Sequence, residues 1–449
     1  MTTLGPRLVV AGTHSGVGKT TIATGLMTAM RAAGHRVAAA KVGPDFIDPG
    51  YHALATGRPP RNLDAWMSGI DLIAPLAGRA GSGADLTIIE GVMGLFDGAN
   101  DGTPSSTADV AAALDAPVVL VVDGSSMSAS VAALVRGYRD HRPELRLAGV
   151  ILNRVSTERH RALLVEALES IDVDVLGTLG RDDALTWRDR HLGLVPVEEQ
   201  PDEVRTSLAR LGTAITAGCD LHRLAEIAAT APARPAGEVP MPAGGDAVRI
   251  AVAGGPAFTF MYRDNIEALE AAGAELVAFD PLTDEALPDG IAGLVIGGGF
   301  PEVFAPRLAE NRRLLDQVTT AIREGLVTWA ECGGLLWLAE SLDETPMAGT
   351  VPARATMADR LTLGYREVTA VIDTPIAPSG ARFRGHEFHY SSCDPGGDAL
   401  ELRSRFGSRS EGFGTPTLLA TYLHQHLAGR PEPAMRFVDT CRAAIAERG

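Results

Sequence analysis

Short runs of apolar, mostly β-branched residues alternate with helical stretches along residues 1–160. The predicted strands are RLVVAG at 7–12, RVAAAKVG at 36–43, LTIIEGV at 86–92, PVVLVVD at 117–123 and LAGVILNRV at 147–155. Alternation of strand and helix predicts a parallel sheet, and continuous apolar runs indicate strands covered on both faces. Ligands of such sheets bind at the carboxyl ends of the strands. The first half of the chain therefore predicts an α/β domain with a site at that edge.

A second alternation follows a segment with no apolar period. Residues 231–246 read APARPAGEVPMPAGGD, a composition that predicts a linker between domains 1–230 and 247–449. The strands predicted beyond it are VRIAVAG at 248–254, AELVAFD at 274–280, IAGLVIGGG at 291–299 and LVTWAECGG at 326–334. Further strands are predicted around TLGYREVTAVI, RFRGHEFHYSS and LLATYLHQHL. We therefore expect a second α/β domain with a mixed sheet.

Residues 9–22, VVAGTHSGVGKTTI, place a glycine-rich turn between a strand and a helix, which indicates a P-loop. The backbone N–H groups of this loop and the N-terminus of the helix would bind phosphates. Lys19 would reach the outer phosphates, and the Thr20 hydroxyl would bind Mg²⁺. The usual spacing G-x4-G-K-[ST] is lengthened here, because Thr13 stands where the first glycine is expected. A glycine-rich helix cap is the plainer alternative. The predicted nucleotide-binding residues are Gly16, Gly18, Lys19, Thr20, Thr21, Lys41 and Asn153.

Carboxylates follow other strands predicted in this domain. Asp45 and Asp48 lie in KVGPDFIDPGYH, Glu90 follows DLTII, and Asp97 lies in EGVMGLFDG. Such carboxylates suit Mg²⁺ or proton chemistry, and they would repel one another near a phosphate site without a cation. Turn formation is the alternative for the first two. The predicted metal ligands are Thr20, Asp45 and Glu90.

The segment LVTWAECGGLLWL at 326–338 predicts a nucleophile elbow at Cys332. A sharp turn from strand to helix exposes the thiol, and the helix N-terminus favours the thiolate. A buried structural cysteine is the commoner reading of a lone thiol. The glycines Gly333 and Gly334 directly after Cys332 favour the nucleophile instead, because they contribute nothing to core packing.

A thiol nucleophile needs a base and a site for the developing oxyanion. TYLHQHLAG at 421–429 offers His424 and His426, of which we select His424 as the base, with packing as the alternative explanation of either imidazole. The glycines in GLVIGGGFPE predict an oxyanion hole at Gly298 and Gly299, with a tight turn as the alternative. The segment GHEFHYS at 385–391 is rich in histidine, but its spacing matches no familiar zinc site.

The composition excludes several classes of protein. A chain of 449 residues is too long for one core, and its four widely spaced cysteines form neither a zinc motif nor a disulfide scaffold. A net charge of −16 argues against nucleic acid as a partner. Neither a membrane-spanning run nor a leader is present, so we expect a cytoplasmic protein without a membrane partner. The oligomeric state stays open, a homodimer included.

In their order along the chain, these motifs resemble the cobyrinate and hydrogenobyrinate a,c-diamide synthase family of cobalamin biosynthesis. The resemblance rests on AGTHSGVGKTT, KVGPDFIDPGYH and EGVMGLFDG in the first half. In the second half it rests on AFTFMYRDNIEAL, GGGFPE, WAECGGLLWL, GHEFHYS and TYLHQHLAG. It covers essentially the whole chain and implies a dethiobiotin-synthetase-like P-loop ATPase fused to a class I glutamine amidotransferase.

The resemblance implies that Cys332 attacks the glutamine carboxamide after His424 takes its proton, so that ammonia leaves and a thioester remains. Amidotransferases often carry a glutamate two residues after the histidine; His426 stands there, so the third member of the triad stays open. ATP with Mg²⁺ would phosphorylate a corrinoid carboxylate, and ammonia would displace the phosphate. Asp45, Asp48 and Asp97 match the family's carboxylate-activation motifs. The candidate cations for the polycarboxylate substrate are Arg188, Arg190, His191 and Arg384, and a solvated surface position is the alternative for each of them.

Three other readings remain. Cobyric acid synthases amidate other corrin side chains, but their motifs read GHEIHxG and YxHG where this chain has GHEFHYS and YLHQH. A ParA- or MinD-like ATP switch would lack the elbow cysteine. An inert C-terminal scaffold would not need Cys332 and His424. The Ala- and Arg-rich composition indicates a high-GC genome and favours the metal-free ring, hydrogenobyrinate, over the cobalt form.

Overall fold

The structure is a computed structural model that describes residues 2–99, 101–181, 189–190, 193–194, 196–199 and 201–448. The chain divides into two compact units, Met1–Val239 and Pro240–Gly449. Within the described ranges, no helix combines the length and the apolar character needed to span a membrane.

The first unit alternates strands and helices along most of its length. Its strands are β1 (Thr2–Leu4), β2 (Arg7–Gly12), β3 (Val37–Val42), β4 (Arg61–Leu63), β5 (Leu86–Glu90), β6 (Val118–Asp123), β7 (Leu147–Val155), β8 (Val175–Gly180), β9 (Asp189–Arg190), β10 (Gly193–Leu194) and β11 (Arg234–Gly237). Its α-helices are α1 (Lys19–Ala32), α2 (Ile47–Thr56), α3 (Ala65–Ser68), α4 (Ile73–Ala80), α5 (Thr107–Leu114), α6 (Ser130–His141), α7 (Glu158–Glu169), α8 (Pro201–Gly218) and α9 (Leu221–Ala229).

Among the residues described, seven strands of this unit form a parallel sheet in the order β4-β3-β5-β2-β6-β7-β8. The five strands predicted from apolar runs are β2, β3, β5, β6 and β7, so the predicted parallel α/β domain is confirmed. Every residue of β2, β3 and β5 is buried, as expected for strands covered on both faces. The P-loop follows β2, and Glu90 ends β5. The sheet therefore brings both to one edge.

The predicted linker differs from the structure in its first part. β11 lies within 231–246 and pairs antiparallel with β1. Ala236 in this strand is buried, and the Arg7 guanidinium donates from Nη2 to the carbonyl oxygen of Pro232 at 3.1 Å. A composition rich in Pro, Ala and Gly hides these backbone contacts from sequence reasoning. The division between the units, at Val239 and Pro240, falls inside the predicted segment.

The second unit combines a mostly parallel sheet with an antiparallel one. Its strands are β12 (Val248–Ala253), β13 (Ala274–Phe279), β14 (Gly293–Ile296), β15 (Val327–Glu331), β16 (Ser341–Leu342), β17 (Thr345–Pro346), β18 (Arg354–Ala370), β19 (Arg382–Asp394), β20 (Leu400–Ser404), β21 (Gly407–Glu411), β22 (Phe413–Thr415) and β23 (Leu418–Thr421). Its α-helices are α10 (Arg263–Ala271), α11 (Pro301–Glu310), α12 (Arg312–Arg323), α13 (Gly333–Leu338) and α14 (Pro431–Arg448).

The main sheet of the second unit has the order β13-β12-β14-β15-β23-β22 over the described residues and is parallel except at β22. The prediction of a mixed sheet is therefore confirmed for these strands. The prediction is wrong in assigning β18 and β19 to it, since they pair with each other and join β16, β17, β20 and β21. Residue pattern predicts that a segment is extended but not which sheet it joins. β23 ends at Thr421, which leaves His424 in the loop beyond the strand.

Candidate active sites

The P-loop of the first unit has the backbone that phosphate binding requires. Gly16 and Gly18 have φ angles of 79° and 97°, which only glycine adopts readily, and α1 begins directly after Gly18. The Lys19 ammonium donates to the carbonyl oxygen of His14 at 3.3 Å and so lies over the loop. Burial and the neighbouring Lys41 lower the pKa of Lys19 to about 8. A bound phosphate would offset both effects, because it places negative charge beside the ammonium.

Side chains from β7 hold this loop from the other side. Asn153, a predicted nucleotide-binding residue, donates from Nδ2 to the carbonyl oxygen of Val17 at 2.9 Å. Arg154 donates from Nη2 to the carbonyl oxygen of Gly16 at 2.9 Å and pairs with Asp123 at 2.5 Å. Arg154 was missing from the predicted site. Its only sequence signal was its place after Asn153 at the end of a predicted strand.

The predicted acidic residues meet Thr20 and Lys41 at the carboxyl end of the sheet. The Thr20 hydroxyl lies 2.6 Å from Glu90 Oε1 and 3.3 Å from Asp48 Oδ2. The Lys41 ammonium lies 2.9 Å and 2.7 Å from the same two carboxylates. Burial alone would lower the pKa of Lys41, but Asp48 and Glu90 outweigh it and raise the pKa. Lys41 is therefore charged in the folded protein.

His52 belongs to this cluster although it was absent from the predicted site. Its Nε2 lies 2.6 Å from Glu90 Oε2, and both side chains are fully buried. Burial would raise the pKa of Glu90, but Lys41 and His52 lower it. His52 follows Asp48 by four residues on α2, so the two share one face of the helix. That spacing was a usable signal in the sequence.

The residues at this edge fit a magnesium ion. Mg²⁺ bound with phosphates usually takes one or two carboxylates and a hydroxyl, with water completing the octahedron. Thr20, Glu90 and Asp48 supply those oxygens, whereas Asp45 accepts the backbone N–H groups of Ile47 and Asp48 at 2.8 Å and 2.9 Å. Asp48 thus lies beside Thr20 and Glu90, in the position that was predicted for Asp45.

The remaining predicted residue of this site, Asp97, orders a loop against the P-loop. Its Oδ2 accepts the backbone N–H of Gly94 at 2.8 Å, and the N–H of Leu95 donates to the carbonyl oxygen of Gly12 at 2.9 Å. Thr21 lies half-buried in the first turn of α1. The substrate-facing roles of both residues stay predictions.

Cys332 in the second unit occupies a strained turn between β15 and α13. Its φ and ψ angles are 48° and −100°, a combination that side chains rarely adopt and that is typical of nucleophile elbows. The turn needs both following glycines. A Cβ atom on Gly334 would lie 2.6 Å from the carbonyl oxygen of Ile296, and one on Gly333 would lie 3.0 Å from the backbone nitrogen of Gly299.

The predicted oxyanion residues, the elbow and the predicted base come together. Gly298 and Gly299 follow β14, and Gly299 lies against Gly333 of the elbow. A Cβ atom on Gly298 would lie 2.6 Å from His424 Cε1 and 3.3 Å from His424 Nε2. The backbone N–H of Cys332 donates to the carbonyl oxygen of Thr421 at 2.7 Å, which ties the elbow to the strand before His424.

The ring of His424 has Glu331 on its other side. His424 Nδ1 lies 3.3 Å from Glu331 Oε2, and the backbone N–H of Gln425 donates to Glu331 Oε1 at 3.2 Å. His426 lies elsewhere: its Nε2 is 3.5 Å from Asp264 Oδ2. The carboxylate beside His424 thus comes directly before Cys332 along the chain, whereas the expected motif places a glutamate two residues after His424.

The histidine-rich segment GHEFHYS lies in β19 beside His424. The ring of His386 stacks on the ring of His424, with centroids 5.0 Å apart. His386 Nε2 forms a hydrogen bond with the Tyr262 hydroxyl at 2.8 Å. Glu387 pairs with Arg366 at 2.6 Å and with Arg409. In the part of the chain that the structure describes, no three His, Cys, Asp or Glu side chains are arranged to hold a metal ion.

The surroundings of Cys332 keep its proton in place at rest. Burial raises the pKa of the Cys332 thiol, and the charges of Glu302, Glu331 and Glu387 raise it further. A general base must therefore remove the proton when substrate is bound. The Nε2 edge of His424 faces the glycines next to the elbow and is suited to that step.

Two of the candidate cations, Arg188 and His191, lie outside the described residues, and of Arg190 only the backbone in β9 is described. Arg384 lies half-buried in β19 of the second unit. Their part in substrate binding stays a prediction.

Glu411 at the end of β21 predicts a pH dependence of stability. Burial raises its pKa from 4.5 to about 7, although the Thr421 hydroxyl and the Tyr422 backbone N–H both donate to it at 2.6 Å. Because the folded-state pKa lies above the unfolded one, stability is lost as pH rises from 4.5 to about 7, by up to roughly 3 kcal/mol. In Glu411→Gln the amide oxygen can accept the Tyr422 N–H and the amide NH₂ can donate to the Thr421 hydroxyl oxygen, so both contacts are kept, one of them with its direction reversed. Because the amide does not titrate, this variant should remove the loss. We expect its thermal unfolding midpoint to exceed that of the unmodified protein at pH 8 but not at pH 5.

Glu401→Gln, at an exposed position of β20, is the matched control and should leave the pH dependence unchanged. An unaltered pH dependence in Glu411→Gln would show that this carboxyl is not the titrating group.

Comparison with known proteins gives one consistent result for both units. Residues 8–195 match the CobQ/CobB/MinD/ParA nucleotide binding domain, and residues 249–432 match the CobB/CobQ-like glutamine amidotransferase domain. The chain is 47% identical to the hydrogenobyrinate a,c-diamide synthase of Streptomyces coelicolor, over 98% of each chain. It is 48% identical to that of Thermobifida fusca, over 96% of each chain. A cobyrinate a,c-diamide synthase of Synechococcus is 41% identical, over 98% of this chain and 99% of the relative.

Proposed function

The chain belongs to the a,c-diamide synthase family, and we propose that it uses glutamine and ATP to convert the a and c side-chain carboxylates of hydrogenobyrinate into amides. The observation that carries this proposal is the pairing of two chemistries in one chain. The first unit has a phosphate-binding loop with Lys19, Thr20 and Glu90, and the second has a thiol elbow with a histidine beside it.

The second unit would supply ammonia. His424 takes the proton of Cys332, the thiolate attacks the carboxamide carbon of glutamine, and the backbone N–H groups at Gly298 and Gly299 bind the developing oxyanion. The carbon–nitrogen bond then breaks, and the proton on His424 leaves with ammonia. Water hydrolyses the remaining thioester to glutamate and restores the thiol.

The first unit would activate the acceptor. A substrate carboxylate oxygen attacks the γ-phosphorus of ATP, ADP leaves, and the acyl phosphate gives ammonia a carbon with a good leaving group. Lys19 would stabilise charge on the transferred phosphoryl group, while Thr20, Asp48 and Glu90 would hold Mg²⁺. Mg²⁺ neutralises phosphate charge when it is bound. Lys41 is already paired with two of these carboxylates and would orient them.

The choice of ring rests on similarity. The two hydrogenobyrinate relatives are 47% and 48% identical to this chain, and the cobyrinate relative is 41% identical. We therefore expect the metal-free ring to be the better substrate.

The test is to incubate the purified protein with ATP, Mg²⁺, glutamine and either hydrogenobyrinate or cobyrinate, and to follow the products by mass spectrometry. We expect two successive exchanges of OH for NH₂, with the larger kcat/KM for hydrogenobyrinate. A preference for cobyrinate would overturn the choice of ring. Four exchanges would favour the cobyric acid synthase reading, and ATP-dependent dimerisation without product would favour a switch.

A further inference from the structure

We infer that Glu331, the residue before the nucleophile, is the positioning carboxylate that completes a Cys332–His424–Glu331 triad. This inference rests on the proposed glutamine hydrolysis by the second unit. It assigns the third place in the triad to a residue on the same strand-to-helix turn as the nucleophile.

The geometry gives the carboxylate of Glu331 a fixed place beside the base. Glu331 is buried at the end of β15, its Oε2 lies 3.3 Å from His424 Nδ1, and its Oε1 accepts the backbone N–H of Gln425 at 3.2 Å. One oxygen is therefore held by the segment that carries His424, and the other lies beside the imidazole. Two contacts with consecutive residues fix the carboxylate relative to the ring.

This contact determines which nitrogen of His424 can act as the base. Burial raises the pKa of Glu331, and the His424 ring opposes that shift. The ionised carboxylate only accepts hydrogen bonds, so in that form Nδ1 carries the proton that it shares with Glu331. The lone pair is then on Nε2, which faces Gly298 and the elbow. When Nε2 takes the proton of Cys332 the ring becomes a cation, and the negative charge of Glu331 stabilises it. The proton later leaves with ammonia, and none is transferred to Glu331.

Other charged and imidazole groups near Cys332 and His424 do not share the geometry of Glu331. Glu302 and Glu387 act on the Cys332 thiol through charge, and Glu387 is already paired with Arg366 and Arg409. His386 faces the plane of the His424 ring, and its pKa is lowered well below 6.5 by burial, so it is neutral. His426 pairs with Asp264.

A purely structural role for Glu331 would consist of holding the backbone N–H of Gln425. The variant Glu331→Gln separates that role from the orientation of the His424 ring. The glutamine amide oxygen can still accept the Gln425 N–H, but the charge is gone and the amide NH₂ can donate to Nδ1, which favours the wrong tautomer. Loss of the orienting carboxylate in a comparable triad lowers kcat by about 10⁴-fold. A thiol is intrinsically more nucleophilic than a hydroxyl, so we expect a smaller loss here, at least about 100-fold in kcat for glutamine.

The assay compares glutamine-dependent and ammonia-dependent amidation in the full chain, with unmodified protein in parallel. We expect Glu331→Gln to lower kcat with glutamine, leave KM for glutamine within about threefold and leave ammonia-dependent synthesis unchanged. Glu331→Asp keeps the charge and should recover part of the lost rate. Equal kcat in Glu331→Gln and the unmodified protein would overturn the inference, as would a rise in KM alone. Absence of glutamine-dependent product from the unmodified protein would instead contradict the proposed function.

A spectroscopic measurement covers the case in which Glu331→Gln fails to fold. Nitrogen-15 NMR of Cys332→Ala protein with labelled histidines reports directly which ring nitrogen of His424 carries the proton. The His424 signal is assigned as the one that disappears in Cys332→Ala/His424→Gln. We expect a neutral ring with the proton on Nδ1. A proton on Nε2 in the resting enzyme would overturn the inference.

Discussion

Cys332→Ala should abolish glutamine-dependent amidation while leaving amidation with ammonium salts at its original rate. In the proposed mechanism the thiol forms the bond to the glutamine carbon, so its removal eliminates covalent catalysis in the second unit. The proposed acyl phosphate forms with residues of the first unit, which this substitution leaves unchanged. We expect a loss of at least about 10⁴-fold in kcat with glutamine, measured as amide product by mass spectrometry.

Cys219→Ala is the matched control for this variant. Cys219 is a half-buried thiol of the first unit that follows α8, and it belongs neither to the turn at Cys332 nor to the P-loop. It should retain both activities. If Cys332→Ala lost the ammonia-dependent reaction as well, the separation of the two chemistries would be wrong.

Lys19→Ala should abolish amidation with either nitrogen source. Without the ammonium group over the P-loop, charge that develops on the transferred phosphoryl group is not stabilised, and no acyl phosphate forms for ammonia to attack. We expect a loss of roughly 10³-fold in kcat for both glutamine and ammonium salts, together with weaker ATP binding. Steady-state assays with each nitrogen source and calorimetric titration with ATP measure these effects.

Arg36→Ala removes a cation of the same unit and serves as the control. Arg36 is exposed and pairs with Asp85 at the surface, so its loss should leave both reactions intact. Ammonia-dependent synthesis that survived in Lys19→Ala would contradict the assignment of the P-loop to carboxylate activation.

Features that depend on local spacing could be predicted from the sequence. The parallel strands of the first unit follow from apolar runs, and the turn at Cys332 follows from a strand, a cysteine and two glycines in series. The cluster of Lys41, Asp48 and Glu90 followed from one rule, that strand ends of a parallel sheet share an edge.

Features that depend on pairing between distant residues could not be predicted. β18 and β19 are long strands, yet only their register with each other and with β20 places them outside the main sheet. Glu331 and His424 are 93 residues apart, and their contact depends on how β15 and β23 pair. A motif search looks for the third triad member after the histidine, so it could not find a carboxylate before the cysteine.

The most direct test supplies glutamine labelled with nitrogen-15 in the side-chain amide, together with ATP and hydrogenobyrinate, first without added ammonium and then with unlabelled ammonium. Without added ammonium, we expect the unmodified protein to make a diamide that carries the label in both new amides, and Cys332→Ala to make none. With unlabelled ammonium, Cys332→Ala should make unlabelled diamide. If the unmodified protein made no labelled amide without added ammonium, glutamine would not be its nitrogen donor and the proposed chemistry of the second unit would be wrong.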